Sequence, residues 1–392
     1  MNPDSGPVIT LYALLRDLRP GARWRHAAMA IVLSLGLPAL SAAQSSPASD
    51  TTTTAVVDAP VAAVPAAEKA VAEAAGEAAP IVLVLPLESA SFGRAADAVR
   101  AGFVAAAADA KARYVVIAHG DDGVLAAFAK AKKAGARVIV GPLIRDDLKT
   151  VAGAGLELPP TLALNQLDDG APLPGRMYAL SLTLDSDARQ LARRARDEGA
   201  MSVAVIASDT PLQQRFVAAF NAEWILAGGG APVIFRFDRS PELLVQLRRE
   251  LIRTQFDAAL LAIDSADAAL AKSYVKSIPT YASSLVNDRQ PREARRDLDE
   301  LRFVDIPWLV DPEAASFSGL KRPDYTSAAL ERLYALGIDA FRIAQEFAEG
   351  PREKLDLDGA TGRLSLDANH QFVREGRLMV FRSGEIVPAD AR

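Results

Sequence analysis

From Ile81 onward the chain repeats one phrase: a short apolar run, a turn, a helix with one apolar stripe, and then the next run. Ile81 to Leu85 is continuously apolar, the pattern of a strand buried on both faces of a parallel sheet. A helix follows, with Phe92, Ala95, Ala96, Val99 and Phe103 spaced three and four apart. Strands are then predicted at Tyr114 to Ala118, Arg137 to Val140 and Thr161 to Leu164, and a helix over Leu125 to Ala134 that Gly135 ends. The phrase restarts with a helix from Asp185 to about Glu198, closed by Gly199. Strands at Ser202 to Ala207, Val233 to Phe237 and Asp257 to Ile263 alternate with helices opened at Asp209 and Pro211, over Pro241 to Arg253 and over Ala266 to Val275. Two successive arrays of this kind mean α/β architecture, with two mainly parallel sheets flanked by helices.

Beyond Ile278 the rhythm loosens. Short strands are expected at Pro279 to Ser283 and Leu301 to Val310, and a long amphipathic helix over residues 327–347. Arg363 to Leu366 and Leu378 to Phe381, each followed by turn residues, read as antiparallel strands.

The stretch before Ile81 has a different texture. Arg16, Arg19, Arg23, Arg25 and His26 precede an apolar run from Ala27 to Leu40, and Ser41-Ala42-Ala43 supplies small residues behind it. Basic flank, short apolar core and small-residue exit make residues 1–43 an expected secretory signal peptide, and the rest an exported protein. The alternative is an uncleaved anchor, against which stand the shortness of the run and Pro38. Contact with a membrane is expected only if the signal stays uncleaved. Residues 44–80 are rich in Ala, Thr and Pro and lack aromatics, so burial cannot offset their ordering entropy. They are expected to be a disordered tether leading into one domain, residues 81–392.

Several chemistries are excluded or disfavoured. The chain has no Cys, which removes disulfides, thiolate sites and attachment of lipid through a cysteine. His26, His119 and His370 are far apart in sequence, which argues against a histidine metal cluster. A net charge of -5 gives no basic field for nucleic acid. No P-loop, Gly-x-Ser-x-Gly elbow or His-Glu-x-x-His is present. Gly228-Gly229-Gly230 follows a helix and precedes a strand, the reverse of a phosphate cradle, and reads as a helix end. His119 is read as a loop histidine, because no nucleophile is placed to join it. Asp185, Asp187, Asp209 and Asp264 are read as helix caps. Arg189, Arg193, Arg194 and Arg196 lie at helical spacing and read as a solvated face, with an acidic partner as the lesser alternative. No catalytic residue, metal or cofactor is expected.

What remains is a cleft. Ligands of open parallel sheets bind beyond the carboxyl ends of strands. Those ends carry Leu87, Ser89, Pro142, Leu143, Arg145, Asn165 and Gln166 in the first array and Ser208 and Asp209 in the second. Two such arrays facing each other would form a groove between lobes, suited to a small polar ligand. Turns that satisfy their own backbone explain the same residues equally well.

An ordered set of segments carries a resemblance. They are Val84-Leu85-Pro86-Leu87-Glu88-Ser89, Val140-Gly141-Pro142-Leu143, Leu162-Ala163-Leu164-Asn165-Gln166, Arg302 to Leu309, Leu333 to Ala340 and Gly359 to Asp367. In this order and spacing they resemble the LppC/LpoA family of penicillin-binding-protein activators, over essentially all of residues 81–392. The resemblance implies a two-lobed type I periplasmic-binding-protein fold whose chain crosses between lobes three times. By that template lobe one takes about 81–182 and 281–350, and lobe two about 183–280 and 351–392. It also implies a non-catalytic periplasmic regulator whose partner is a class A penicillin-binding protein, a peptidoglycan synthase. Two features depart from the family pattern. The lipid-bearing Cys is missing, so the chain is not expected to be a lipoprotein. The helical-repeat domain that precedes this module in well-known members has no counterpart in residues 44–80. The alternative function is a periplasmic solute-binding protein of a transport system. Against it, Ile144-Arg145-Asp146 stands where amino-acid binders of this fold need a hydroxyl residue to hold a carboxylate.

Overall fold

The computed structural model describes residues 81–167, 171–275, 278–350, 352 and 354–390, all within the compact unit Val64–Arg392. The expected signal peptide, 1–43, and tether, 44–80, lie outside the described residues.

The first array folds as β1 (Ile81–Leu85), α1 (Gly93–Asp109), β2 (Tyr114–Ala118), α2 (Val124–Lys133), β3 (Val138–Val140), α3 (Arg145–Gly153), β4 (Thr161–Ala163) and β5 (Met177–Ala179). Its strands form a five-stranded sheet in the order β2-β1-β3-β4-β5, every neighbouring pair parallel. The second array supplies α4 (Leu184–Asp197), β6 (Val203–Ala207), α5 (Pro211–Leu226), β7 (Val233–Arg236), α6 (Pro241–Arg253), β8 (Ala258–Ala262), α7 (Ser265–Tyr274), β9 (Thr280–Ala282) and β10 (Leu301–Asp305). After these come α8 (Ala328–Glu349), then β11 (Asp356–Asp358), β12 (Arg363–Leu366), β13 (Phe372–Glu375), β14 (Arg377–Arg382) and β15 (Glu385–Pro388). The second sheet has seven strands in the order β15-β14-β10-β9-β8-β6-β7, and β11-β12-β13 form a small antiparallel sheet. Two separate sheets, each with helices on both faces, make two lobes. The apolar runs Ile81 to Leu85, Val203 to Ala207 and Ala258 to Ala262 are buried along their whole length, as a doubly covered sheet requires.

The chain passes between lobes three times: through Leu180–Thr183 after β5, through Ile306 after β10, and through Gly376 between β13 and β14. The template's lobe boundaries need correcting. Strands β9 and β10 extend the second sheet, and the chain returns to the core of lobe one only at Ile306 and Trp308, where it remains through Phe372. Lobe one thus takes up at 306 rather than 281 and holds β11–β13, whereas lobe two regains the chain at β14. The reason is edge pairing: β9 hydrogen-bonds beside β8, and β10 offers its far edge to β14. Short apolar runs carry no record of which sheet edge they will join. The strand expected over 301–310 stops at Asp305, because Pro307 begins a helical turn, Pro307–Val310. Phe92, expected on the buried stripe of α1, instead precedes the helix and is 44% exposed.

Helix α8 is the axle of lobe one. It was expected to bury one face, but every residue from Tyr334 to Phe341 is buried. Helix α1 crosses it so closely that a β-carbon on Gly102 would collide with the Tyr334 carbonyl, and one on Gly337 with the Val99 carbonyl. Ile338, Phe341 and Ile343 are almost fully enclosed. Each such side chain contributes about 1.5–3 kcal/mol of burial.

Candidate functional site

At the strand ends of lobe one, glycine is required once. Gly141 has φ +117° and lies against the Val84 carbonyl, leaving no room for a side chain. The following residues face inward. Pro142 and Leu143 are buried, and the Leu143 carbonyl accepts a hydrogen bond from Asn165 Nδ2 at 3.0 Å. Asn165 Oδ1 accepts the N–H of Gln166 at 2.9 Å, so the Asn165 amide is spent on its own turn. Leu87 packs on the core of lobe one, and buried Ser89 accepts the N–H of Phe92 at 3.1 Å, just ahead of α1. In lobe two, the Ser208 carbonyl accepts from Gln214 Nε2 at 3.0 Å, and exposed Asp209 pairs with Arg236 at 2.8 Å.

Arg145 and Gln166 have another setting. They line a trough of about 580 Å³ that both lobes build, together with Ser181, Thr183, Asp185, Ser186, Arg189, Arg215, Ala218, Ala219, Asp367, Gln371, Phe372 and Val373. The other seven strand-end residues do not line it. On its floor, Arg215 donates from Nε (3.1 Å) and Nη2 (2.7 Å) to the same oxygen of Asp185. Gln166 Nε2 reaches that oxygen from lobe one at 3.4 Å, and Ser181 Oγ donates to Gln166 Oε1 at 3.2 Å. Among the described residues the trough's charged lining is Arg145, Arg189 and Arg215 with Asp185 and Asp367.

The expected capping role holds for only one of the four aspartates. Asp264 accepts the N–H of Asp267 at 3.0 Å and caps α7. Helix α4 begins after Thr183 with no side-chain cap, and helix α5 is capped by Thr210, not Asp209. Asp185 turns into the trough. Asp187 turns into the interior and meets Arg374 of β13 at 2.5 Å, the side chains being 2% and 3% exposed. Its position was the sequence signal: Asp187 shares the buried face of α4 with Leu184, Leu191 and Ala195, and a carboxylate there needs a cation. Burial pushes the Asp187 carboxyl upward, against the pull of Arg374.

Further polar contacts tie the lobes around the crossovers. Arg332 of α8 meets Asp305 of β10 at 2.7 Å and donates to the Ser284 and Asn287 carbonyls of lobe two. Arg289 pairs with buried Glu331 of α8. Gln190 of α4 exchanges two hydrogen bonds with the backbone of Gly376, at 2.9 and 3.1 Å. Deeper in lobe one, Asp339 accepts the N–H groups of Ala360 and Thr361 and the Thr361 hydroxyl, fixing the turn before β12 to α8.

The expected arginine face of α4 is not simply solvated. Arg193 pairs with Glu223, Arg194 with Glu198 and Asp390, and the Arg196 guanidinium lies 5.5 Å from the centre of the Trp224 ring. His119 is likewise no solvated loop residue. It is 4% exposed, with Nδ1 2.8 Å from the Gly120 carbonyl and Nε2 unpartnered. Asp147, whose field it shares, is buried too, and that burial raises its carboxyl. Among the described residues no group of three or more His, Cys, Asp or Glu side chains is placed to hold a metal ion. No helix among them is long and apolar enough to cross a membrane.

Two sheet-and-helix lobes, joined by three crossovers and sharing a polar trough, define a type I periplasmic-binding-protein scaffold. Within that class the chain belongs to the LppC family, whose model, described as "LppC putative lipoprotein", matches residues 64–384. Penicillin-binding protein activator LpoA of Haemophilus influenzae is 28% identical over 276 residues, covering 66% of this chain and 46% of that protein. The LpoA (YraM) C-domain of the same organism, described as a regulator of PBP1A, superposes with a TM-score of 0.69 at 25% identity, over 79% of this chain and 99% of that domain. A Chromobacterium violaceum structure described as "a putative branched-chain amino acid ABC transporter" has a TM-score of 0.69 at 34% identity, over 77% of this chain and 100% of that one. The chain spans about half the length of the curated relatives it matches.

Proposed function

We propose that this protein is a non-catalytic regulator of the periplasm that activates a class A penicillin-binding protein by direct contact. The match to 99% of the LpoA C-domain carries the reading, because that domain is itself described as a regulator of PBP1A. The trough supports it. Asp185, a buried carboxylate of its lining, is already held by Arg215 and Gln166, so the polar groups a small ligand would need are partly spent within the chain. Export would follow from the signal-like residues 1–43.

The test is reconstitution. Purified protein lacking residues 1–43 should bind a class A synthase from the same cell and raise its glycan-polymerising or cross-linking rate. A synthase that neither binds nor speeds up would overturn the proposal.

The 34% identity to the Chromobacterium protein favours a second reading, a solute-binding protein for branched-chain amino acids. That reading requires ligand-dependent thermal stabilisation, since a ligand bound only by the native state raises its stability by mass action. A panel of amino acids that leaves Tm unchanged would remove it.

A further inference from the structure

We infer that β2, the open edge of the first sheet, pairs antiparallel with β2 of a second copy of this chain and joins two molecules through one continuous sheet. The inference goes beyond the proposed function and is independent of which protein the chain activates.

The two main sheets have β2, β5, β15 and β7 as their edges, and all but β2 are protected. Beyond β5, Gln371 bridges Ala179, whose N–H is taken by the His370 carbonyl at 3.0 Å. Strand β7 follows Pro232 and ends in Arg236, and β15 runs from Glu385 to Pro388; charge and proline are common guards of an edge. Strand β2 has neither. Tyr114-Val115-Val116-Ile117-Ala118 is uncharged, rich in strand-forming residues, and in unbroken register with β1, its only strand partner among the described residues. All its residues are half-buried, whereas β1 beside it is buried throughout, so the flanking helices leave the outer margin of β2 uncovered. An apolar edge of this kind is a template for another strand.

The residues around the edge select a copy of the same chain. The His119 N–H goes to the Leu85 carbonyl of β1 at 3.1 Å. By alternation Val115 and Ile117 also bond toward β1, and the N–H and C=O groups of Tyr114, Val116 and Ala118 point outward. A twofold axis at Val116 sets Val116 against Val116 and Tyr114 against Ala118, a large side chain against a small one, with about six backbone hydrogen bonds across the seam. The same register sets Lys111 of one copy opposite Asp121 of the other, at both ends of the seam. Both residues are exposed, and neither has an ion-pair partner among the described residues. Exposed Asp122 adds to the acidic end. So short a seam makes a small interface, and the dimer is expected to be weak, with a dissociation constant in the micromolar range.

The experiment follows the full chain by sedimentation velocity at rising concentration, with hydrogen exchange at Val116 and Ala118 as the local readout. The wild type should pass from monomer to dimer, less tightly in high salt, and those two amides should exchange more slowly as the concentration rises. Lys111→Glu and Asp121→Lys should each weaken the dimer about tenfold or more, because each sets like charges together at both ends of the seam. Mixing the two variants in equal amounts should bring the dimer back, since each supplies the charge that the other's flank needs. Rescue on mixing also excludes misfolding as the cause of the loss. A chain that stays monomeric at every concentration overturns the inference, as does a dimer indifferent to both charge reversals. Loss without rescue on mixing overturns the antiparallel register and the inference with it. Protection of Val116 and Ala118 that does not vary with concentration overturns it too, because a segment of the same chain would then cover the edge.

Discussion

Replacing Arg374 by Met should destabilise the protein by about 3–5 kcal/mol, and adding Asp187→Leu should recover most of that loss. Arg374 and Asp187 come from strands and helices that meet only in the folded chain, and both are almost wholly withdrawn from water. Arg374 also donates to the carbonyl oxygens of Thr361 at 3.2 Å and Thr183 at 3.4 Å, so it links lobe one, the first crossover and α4. Met fills most of the same space but brings no charge. It leaves the Asp187 carboxylate in the interior beside the like charge of Asp305, which already opposes ionisation there. Breaking a buried pair from one side costs about 3–5 kcal/mol, whereas an apolar replacement of both partners is often neutral or better. Urea unfolding followed by tryptophan fluorescence and far-ultraviolet circular dichroism measures the difference. The midpoint should fall for Arg374→Met with an unchanged slope, and should return in the double variant. A loss below about 1 kcal/mol, or a double variant less stable than the single one, would refute the view that this pair is an uncompensated charge in waiting.

Gly337→Ala should push α1 and α8 apart at their closest approach and cost about 1–3 kcal/mol or more, seen as a lower Tm. Asp339→Ala should leave the N–H groups of Ala360 and Thr361 without an acceptor, costing about 3 kcal/mol, with faster hydrogen exchange at those two amides as the local signature. Asp147→Asn should stabilise the protein at neutral pH. Burial raises the Asp147 carboxyl above its usual 3.8, so the folded chain holds that proton more tightly than the unfolded one, and wild-type stability falls as pH rises from about 3.8 through the folded value. Asn cannot ionise, so the gain in Tm should be full at pH 7 and shrink to nothing below about pH 3.8; a gain independent of pH would count against this account.

Residues 81–275 show how far pattern alone reaches. Runs such as Val203 to Ala207 have only one way to be buried, inside a doubly covered sheet, and helices such as α2 and α6 are delimited by their own glycine or proline. Secondary structure there is a local matter, since each run and stripe contains its own signal. The two successive arrays were legible for the same reason, whereas the family likeness, and the two-lobed fold it implies, rested on an ordered set of short segments from Val84 to Asp367.

The site was not. Asp185 and Asp187 sit in the first turn of a helix, where a carboxylate looks like a cap whatever it touches. What they touch is Arg215, 30 residues away, and Arg374, 187 residues away. The same limit applied to β9 and β10, whose sheet was chosen by hydrogen bonding at an edge that residues 280–305 do not themselves encode. The sequence by itself determined most strands and helices of the two arrays, though not α3 or β5, because burial periodicity is written residue by residue. Only the tertiary structure decided which charges pair, where the lobes change hands and which arginines share a trough, because those outcomes depend on groups that approach one another after the chain has closed over hundreds of residues.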